Sequence, residues 1–198
     1  MPGHPRVGVL ALQGDVREHL AMLARLGADA STVRRPEELA RVDGLVLPGG
    51  ESSAIDKLAR AFGMQHPIRT AIADGLPMYG TCAGLILLAD RITGGIEGQE
   101  TFGGLDVVVA RNAFGGQTES FETELDITVF DGDPVHAAFI RAPIVVSVGE
   151  RARAIGSLPD GRVVAVEQDN LLGTAFHPEV SGEARFHERF LAKVRERR

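Results

Sequence analysis

Three short apolar runs near the start of the chain constrain its fold most. Val7-Gly8-Val9-Leu10-Ala11-Leu12, Ala28 to Val33 and Gly44-Leu45-Val46-Leu47 are separated by stretches of helical character. The first run is almost continuously apolar, which suits a strand covered on both faces, as in a parallel sheet. After it, Val16, Leu20, Leu23 and Ala24 fall at helical spacing and stop near Gly27. Asp15 stands where an N-cap belongs. Pro36 opens a short helix over Glu37 to Arg41, with acidic residues in its first turn. The order is βαβαβ, the signature of a doubly wound sheet. The expected fold is therefore α/β, three-layered, with a mostly parallel central sheet flanked by helices, of the flavodoxin-like kind. With 198 residues and 44% hydrophobic content, residues 1–198 are expected to form one domain.

The same alternation continues to the chain's single cysteine. Helical stretches over Ala54 to Arg60 and Pro67 to Asp74 precede Leu76-Pro77-Met78-Tyr79. Gly80-Thr81-Cys82-Ala83-Gly84 follows, and then the apolar run Leu85 to Ala89. A strand, a tight turn and a helix start, with Gly-x-Cys-x-Gly at the turn, make the pattern of a nucleophile elbow. Such a turn is strained and needs small flanking residues. It sets a thiol at a helix N-terminus, where the dipole favours thiolate. It also sets the Ala83 N–H where a developing oxyanion needs a donor. The competing reading is a buried structural cysteine, the commoner fate of a lone thiol. The choice turns on whether a base exists elsewhere.

His177-Pro178-Glu179 follows the apolar run Leu171 to Phe176. A thiol nucleophile needs an imidazole to take its proton and pass it to the leaving amine, and a carboxylate to orient that imidazole. Pro178 biases His177 toward extended backbone, and residues two apart in an extended segment project to one side. Glu179 is thus expected to reach the His177 ring, although the tripeptide alone also reads as a turn with exposed charges. Pro48-Gly49-Gly50-Glu51-Ser52-Ser53 follows the third apolar run. Its paired glycines let a backbone N–H turn toward a ligand, and Ser52 or Ser53 can cap the next helix; an ordinary βα turn has the same composition. Gly49-Gly50, Cys82 and His177 each follow a separate strand. In an open α/β sheet the carboxyl ends of strands gather at one edge, where ligands bind. The other histidines have no such company. His4 lies in the terminus, His66, His136 and His187 read as surface or half-buried, and His19, on or beside the apolar face of the first helix, reads as structural.

Beyond Arg91 the pattern changes. Thr93 to Gly104 is glycine-rich and irregular, and short β-like runs follow at Leu105 to Ala110, Leu125 to Phe130, Phe139-Ile140 and Ile144 to Val148. Arg162 to Gln168 and Leu171 to Phe176 read as a hairpin over Asp169-Asn170. Glu183 to Arg198 carries Phe186, Phe190, Leu191 and Val194 at helical spacing. Arg111 and Arg141 stand in patterned loops; each is either a solvated cation or a clamp for a substrate carboxylate. A net charge of −6 argues against a nucleic-acid partner. No run is long enough to span a bilayer. One cysteine fits a reducing, cytoplasmic setting and not a disulfide framework. With no CxxC or HExxH, neither a metal site nor a cofactor is expected.

Gly80-Thr81-Cys82-Ala83-Gly84 together with His177-Pro178-Glu179 resembles the triad of the class I glutamine amidotransferases. Leu12-Gln13-Gly14 with Arg17-Glu18-His19, Leu47-Pro48-Gly49-Gly50-Glu51-Ser52, Arg111-Asn112-Ala113-Phe114-Gly115 and Phe139-Ile140-Arg141-Ala142-Pro143 are similar to the glutaminase subunits of pyridoxal 5'-phosphate synthase. The match runs in order from about Val7 to Glu179. The resemblance implies hydrolysis of L-glutamine to L-glutamate and ammonia, with Cys82, His177 and Glu179 as triad. It implies an oxyanion hole from Gly49, Gly50 and Ala83. Glutamine would be held by Gly50, Glu51, Ser52, Arg111, Ile140 and Arg141. It also implies a synthase subunit as partner in a large heteromeric complex, which receives the ammonia and builds pyridoxal phosphate. The chain departs from that pattern at Ser53-Ala54, where threonines are usual, and at Gly116, where arginine is common. Three other readings stay open: a cysteine peptidase, an amidotransferase of another pathway such as that of imidazole glycerol phosphate synthase, and a non-catalytic scaffold.

Overall fold

The structure is a computed structural model that describes residues 3–111 and 120–197. The strands and helices, in order, are β1 (Arg6–Leu10), α1 (Val16–Arg25), β2 (Asp29–Val33), α2 (Pro36–Leu39), β3 (Gly44–Leu47), α3 (Ser52–Ala61), α4 (Gln65–Ala73), β4 (Met78–Thr81) and α5 (Ala83–Leu88). Then come β5 (Ala89–Thr93), β6 (Leu105–Ala110), β7 (Ser120–Leu125), β8 (Val135–Ile140), β9 (Ile144–Val148), β10 (Arg153–Ser157), β11 (Val163–Gln168), β12 (Leu171–Thr174), α6 (Pro178–Ser181) and α7 (Arg185–Arg197). The expected βαβαβ start is present, and the main sheet runs β2-β1-β3-β4-β12-β11-β9-β6-β5, with β10 beside β11. From β2 to β12 every pairing is parallel. The hairpin β11–β12 and the pairs β9–β11 and β6–β9 are antiparallel, so the far half of the sheet is mixed. A separate ribbon, β7–β8, stands off this sheet.

Burial explains the parallel half. β3, β4 and β12 are buried at every position, which matches their unbroken apolar or small-residue sequences. Tyr79 on β4 packs among Phe186 and Phe190 of α7, which the chain's last helical stripe supplies. Register then positions the site. Leu47 of β3 pairs with Gly80 of β4, and Thr174 of β12 pairs with Thr81. The three strands therefore end level, and the segments that follow them leave the same edge of the sheet.

Several expectations are corrected. β5 and β10 fall in stretches read as irregular or unassigned; β5 is an edge strand whose Asp90 and Arg91 face solvent, so it carries no apolar run. The run expected over Leu125 to Phe130 is instead the end of β7, followed by a turn bridged through Ile127. Asp15 occupies the N-cap position of α1 but makes no side-chain cap bond. The cap of α3 is Glu51, whose carboxylate accepts from Ser53 N–H at 3.2 Å, and neither Ser52 nor Ser53 caps it. His187, expected near the surface, is fully buried. Asn112 to Gln117, including the departure at Gly116, and the end residues Met1, Pro2 and Arg198 lie outside the described residues.

Candidate active site

Cys82 sits between β4 and α5 with φ 48° and ψ −102°, a left-handed conformation that costs a non-glycine residue energy. The flanking glycines make room for it. A Cβ on Gly80 would lie 2.8 Å from Leu85 N, and one on Gly84 would lie 2.8 Å from the carbonyl carbon of Leu47. Helix α5 thus starts in backbone contact with β3. Cys82 is 7% exposed, enough for its sulfur to line a cleft of about 570 Å³.

His177 occupies the N-cap position of α6, at φ −114° and ψ 80°, without a side-chain cap bond, and Glu179 lies in the first turn of that helix. The expected extended tripeptide is therefore replaced by a helical turn, for which Pro178 at the first position is pre-set. The turn still brings Nδ1 of His177 2.9 Å from Oε1 of Glu179. That bond occupies Nδ1, leaving Nε2 for the Cys82 thiol. Burial pushes the imidazolium of His177 toward neutrality. Hydrogen bonds that its ring donates to Cys82 and Glu179, together with their negative charge, outweigh burial and raise its pKa to about 10. Asp15 Oδ2 lies 3.8 Å from the same Nδ1. Asp15, His177 and Glu179 bring ligand-type atoms within 4.8 Å of one another, but Nδ1 and Oε1 are already bonded together, so the arrangement favours proton handling over metal binding.

The cleft also receives Gly50, Glu51, Ser52, Arg111, Ile140 and Arg141. The Gly49 carbonyl accepts from Asp15 N–H at 3.0 Å, so the Gly50 N–H of the same planar peptide points away from Asp15. The Glu51 N–H donates to Gln13 Oε1 at 2.7 Å. Arg111 donates to Glu51 Oε1 at 2.8 Å and to Gln99 Oε1 at 2.7 Å, and Gln99 Nε2 donates to Ser52 Oγ at 3.0 Å. Burial tends to raise the Glu51 pKa. The hydrogen bonds from Ser53 and the charges of Arg111 and Arg141 more than offset this and lower it. Arg141 has φ 46°, turning the chain sharply after β8 so that Ile140 and Arg141 both reach the cleft. Of the residues expected to form the oxyanion hole, Gly50 lines the cleft, whereas Gly49, in the β3–α3 turn, and Ala83, the first residue of α5, do not.

Gln13, Asp15 and Gln99 were not expected in the site: Asp15 read as a helix cap, Gln13 only as part of a motif, and Gln99 was not singled out. The first two follow the carboxyl end of β1 directly, so the rule that ligand sites gather at strand carboxyl ends could have found them. Gln99 lies in an irregular stretch with no periodic signal, and only folding brings it between Ser52 and Arg111.

A mixed, mostly parallel sheet with helices on its faces and a strand–elbow–helix at its carboxyl edge defines the chain as having the class I glutamine amidotransferase fold. A solved structure described as glutamine amidotransferase is 43% identical and superposes with a TM-score of 0.88 over 95% of this chain and 98% of that one. The chain belongs to the SNO glutamine amidotransferase family, whose model matches residues 9–196. A protein of Leifsonia xyli subsp. xyli named pyridoxal 5'-phosphate synthase subunit PdxT is 69% identical over 194 residues, 98% of each chain. One of the same name from Streptomyces coelicolor is 57% identical over 198 residues, 100% of this chain and 98% of that one.

Proposed function

We propose that this chain hydrolyses L-glutamine to L-glutamate and ammonia and passes the ammonia to a synthase subunit that makes pyridoxal 5'-phosphate. The observation that carries this reading is one cleft lined by Cys82, the bonded His177–Glu179 pair, Glu51, Ser52 and Arg111, the last two joined through Gln99. The names of the relatives support the partner. In the proposed mechanism the Cys82 sulfur attacks the amide carbon while His177 holds the thiol proton. Backbone N–H groups of Ala83 and of the Gly49–Gly50 turn receive the oxyanion; one such donor is typically worth roughly 3–4 kcal/mol of barrier. His177 then protonates the departing ammonia, leaving a glutamyl thioester. Water that gives its proton to His177 splits the thioester into glutamate and free thiol. Glu179 orients His177 throughout and balances its charge. Arg111 and Arg141 supply cations for the substrate carboxylate, and the neighbouring Glu51 suits its ammonium. The chain acts as one amidotransferase domain in a cytoplasmic heteromeric complex. Among the described residues no helix is long and apolar enough to cross a membrane. The departure at Ser53 keeps a hydroxyl, which donates to Glu51 at 2.9 Å.

The test is ammonia release from glutamine, with and without the candidate synthase subunit, for the wild type and Cys82→Ala. Release that rises with the synthase and vanishes in the variant is expected. No release in either condition would overturn the proposal, and cleavage of a peptide instead would favour the peptidase reading.

A further inference from the structure

Behind His177 and Glu179 lies a pair of histidines that the proposed hydrolysis does not use. His19 of α1 and His187 of α7 are both fully buried. His19 Nδ1 lies 2.9 Å from His187 Nε2. On its other side, His19 Nε2 lies 3.1 Å from Oγ1 of Thr81, the residue before Cys82, and 3.5 Å from Oε1 of Glu179. That is the oxygen that also receives His177 Nδ1. Tyr79 of β4 meets both rings edge-on.

Burial pushes the His19 pKa well below 6.5, and the charges of His187 and His177 add to this. Burial also lowers His187, to about 4, with help from the Arg25 cation. Both rings are therefore neutral at pH 7, and each carries one N–H, whose place follows from its partners. A bare nitrogen lone pair facing the Glu179 carboxylate would be repelled, so the His19 hydrogen sits on Nε2. Nδ1 of His19 then accepts from Nε2–H of His187. His187 Nδ1 is left as a bare acceptor, and among the described residues it has no hydrogen-bond partner. The opposite assignment would strand a buried N–H at that position, which native structures rarely tolerate.

We infer that His19 is a positioning residue: its Nε2–H, set by His187, bonds Thr81 Oγ1 and presents its positive end to Glu179 Oε1, which keeps the carboxylate against His177 and ties both to the Thr81–Cys82 elbow. The Glu179 side chain is wholly withdrawn from solvent, and its second oxygen, Oε2, has no hydrogen-bond partner among the described residues. A buried carboxylate with few donors is held in place weakly and at high desolvation cost. A fixed donor beside Oε1 therefore has a large say in where the carboxylate points. The arrangement also links α1 to α6, whose relative placement sets the His177–Asp15 approach.

The inference rests on the proposed roles of Cys82 and His177, so its test includes an arm that needs no glutamine. The chain has one cysteine, so iodoacetamide alkylation reports on Cys82 alone. Alkylation rates at pH 7, thermal unfolding, and kcat and KM for glutamine in the presence of the synthase subunit are measured for His19→Leu, His19→Gln and His19→Asn. A glutamine side chain carries its N–H₂ to the Nε2 position, whereas asparagine reaches only the Nδ1 position. In His19→Leu, alkylation is expected to slow and kcat to fall on the order of 100-fold, as for a small misplacement of a catalytic group, with KM nearly unchanged. His19→Gln is expected to recover most of both, and His19→Asn little. A folded His19→Leu that alkylates and turns over like the wild type would overturn the inference. So would equal behaviour of the Gln and Asn variants, a comparison that decides the matter alone if the Leu variant does not fold. A wild type that alkylates rapidly but releases no ammonia would refute the proposed function, while the Gln–Asn contrast in alkylation would still support His19.

Discussion

Replacing Gly84 by alanine adds one methyl group at the first turn of α5, and its effect can be worked from the packing. In an exposed helix, glycine to alanine is favourable by about 1 kcal/mol. Here the new Cβ would stand 2.8 Å from the carbonyl carbon and 3.0 Å from the Cβ of Leu47, and closer still to the carbonyl oxygen. Those are backbone and near-backbone atoms of β3, a strand paired on both sides by β1 and β4, so they cannot retreat. Helix α5 must lift instead. Overpacking of this kind costs typically 1–3 kcal/mol, and the rigid neighbour places it at about the upper end. Subtracting the helix gain leaves about 2 kcal/mol, and at this chain length roughly 4–8 °C in Tm. Lifting α5 also carries Cys82 away from His177, and a shift of about 1 Å can cost on the order of 100-fold in rate. Thermal unfolding and the alkylation rate of Cys82 are the assays. Gly63→Ala is the control: a Cβ there meets nothing within 4 Å, but φ is +67°. It should lose about 1–2 kcal/mol of stability with alkylation unchanged. A Gly84→Ala protein as stable and as reactive as the wild type would refute the packing argument.

Two further outcomes follow from the geometry. Gln99→Leu leaves Ser52 and Arg111 without their shared partner, so the KM for glutamine should rise roughly 10-fold while kcat at saturation changes little; an unchanged KM would show that Gln99 does not order the site. At Glu167, burial pushes the carboxylate pKa upward, but hydrogen bonds from Arg189, Lys193 and Arg153 prevail and bring it down to about 2. Its contribution to stability is therefore present above the unfolded value of about 4.5 and is lost as pH falls from there toward 2. Glu167→Gln should destabilise the protein at pH 7 and flatten the acid limb of its stability curve, as urea titrations across that window would report; an acid limb as steep as the wild type's would count against this role.

The legible parts of the chain were those with a local physical signature. The apolar run Val7 to Leu12, the glycines around Cys82 and the hydrophobic stripe of Phe186, Phe190, Leu191 and Val194 each state their structure within a few residues. Hence the strand–helix alternation, the elbow and the closing helix could be read directly. The candidate site was legible as separate pieces for the same reason, since each follows a strand. Weak edge strands were not: Ala89 to Thr93 gains its conformation from pairing with β6, a partner more than ten residues away in sequence. The His177–Glu179 contact was anticipated, but its route was not, because Pro178 opens a helical turn once α6 packs beside β8.

By itself, the sequence determined an α/β sheet, a thiol on an elbow and a histidine with a nearby carboxylate, because periodicity, turn chemistry and short-range spacing are properties of neighbouring residues. Tertiary structure alone decided that Gln99 joins Ser52 to Arg111, that Asp15 faces His177, and that His19 and His187 are buried and hydrogen-bonded to each other behind Glu179. Those contacts span up to 168 residues of chain. They exist only because the register of β3, β4 and β12 brings three strand ends level and α1 and α7 close over them.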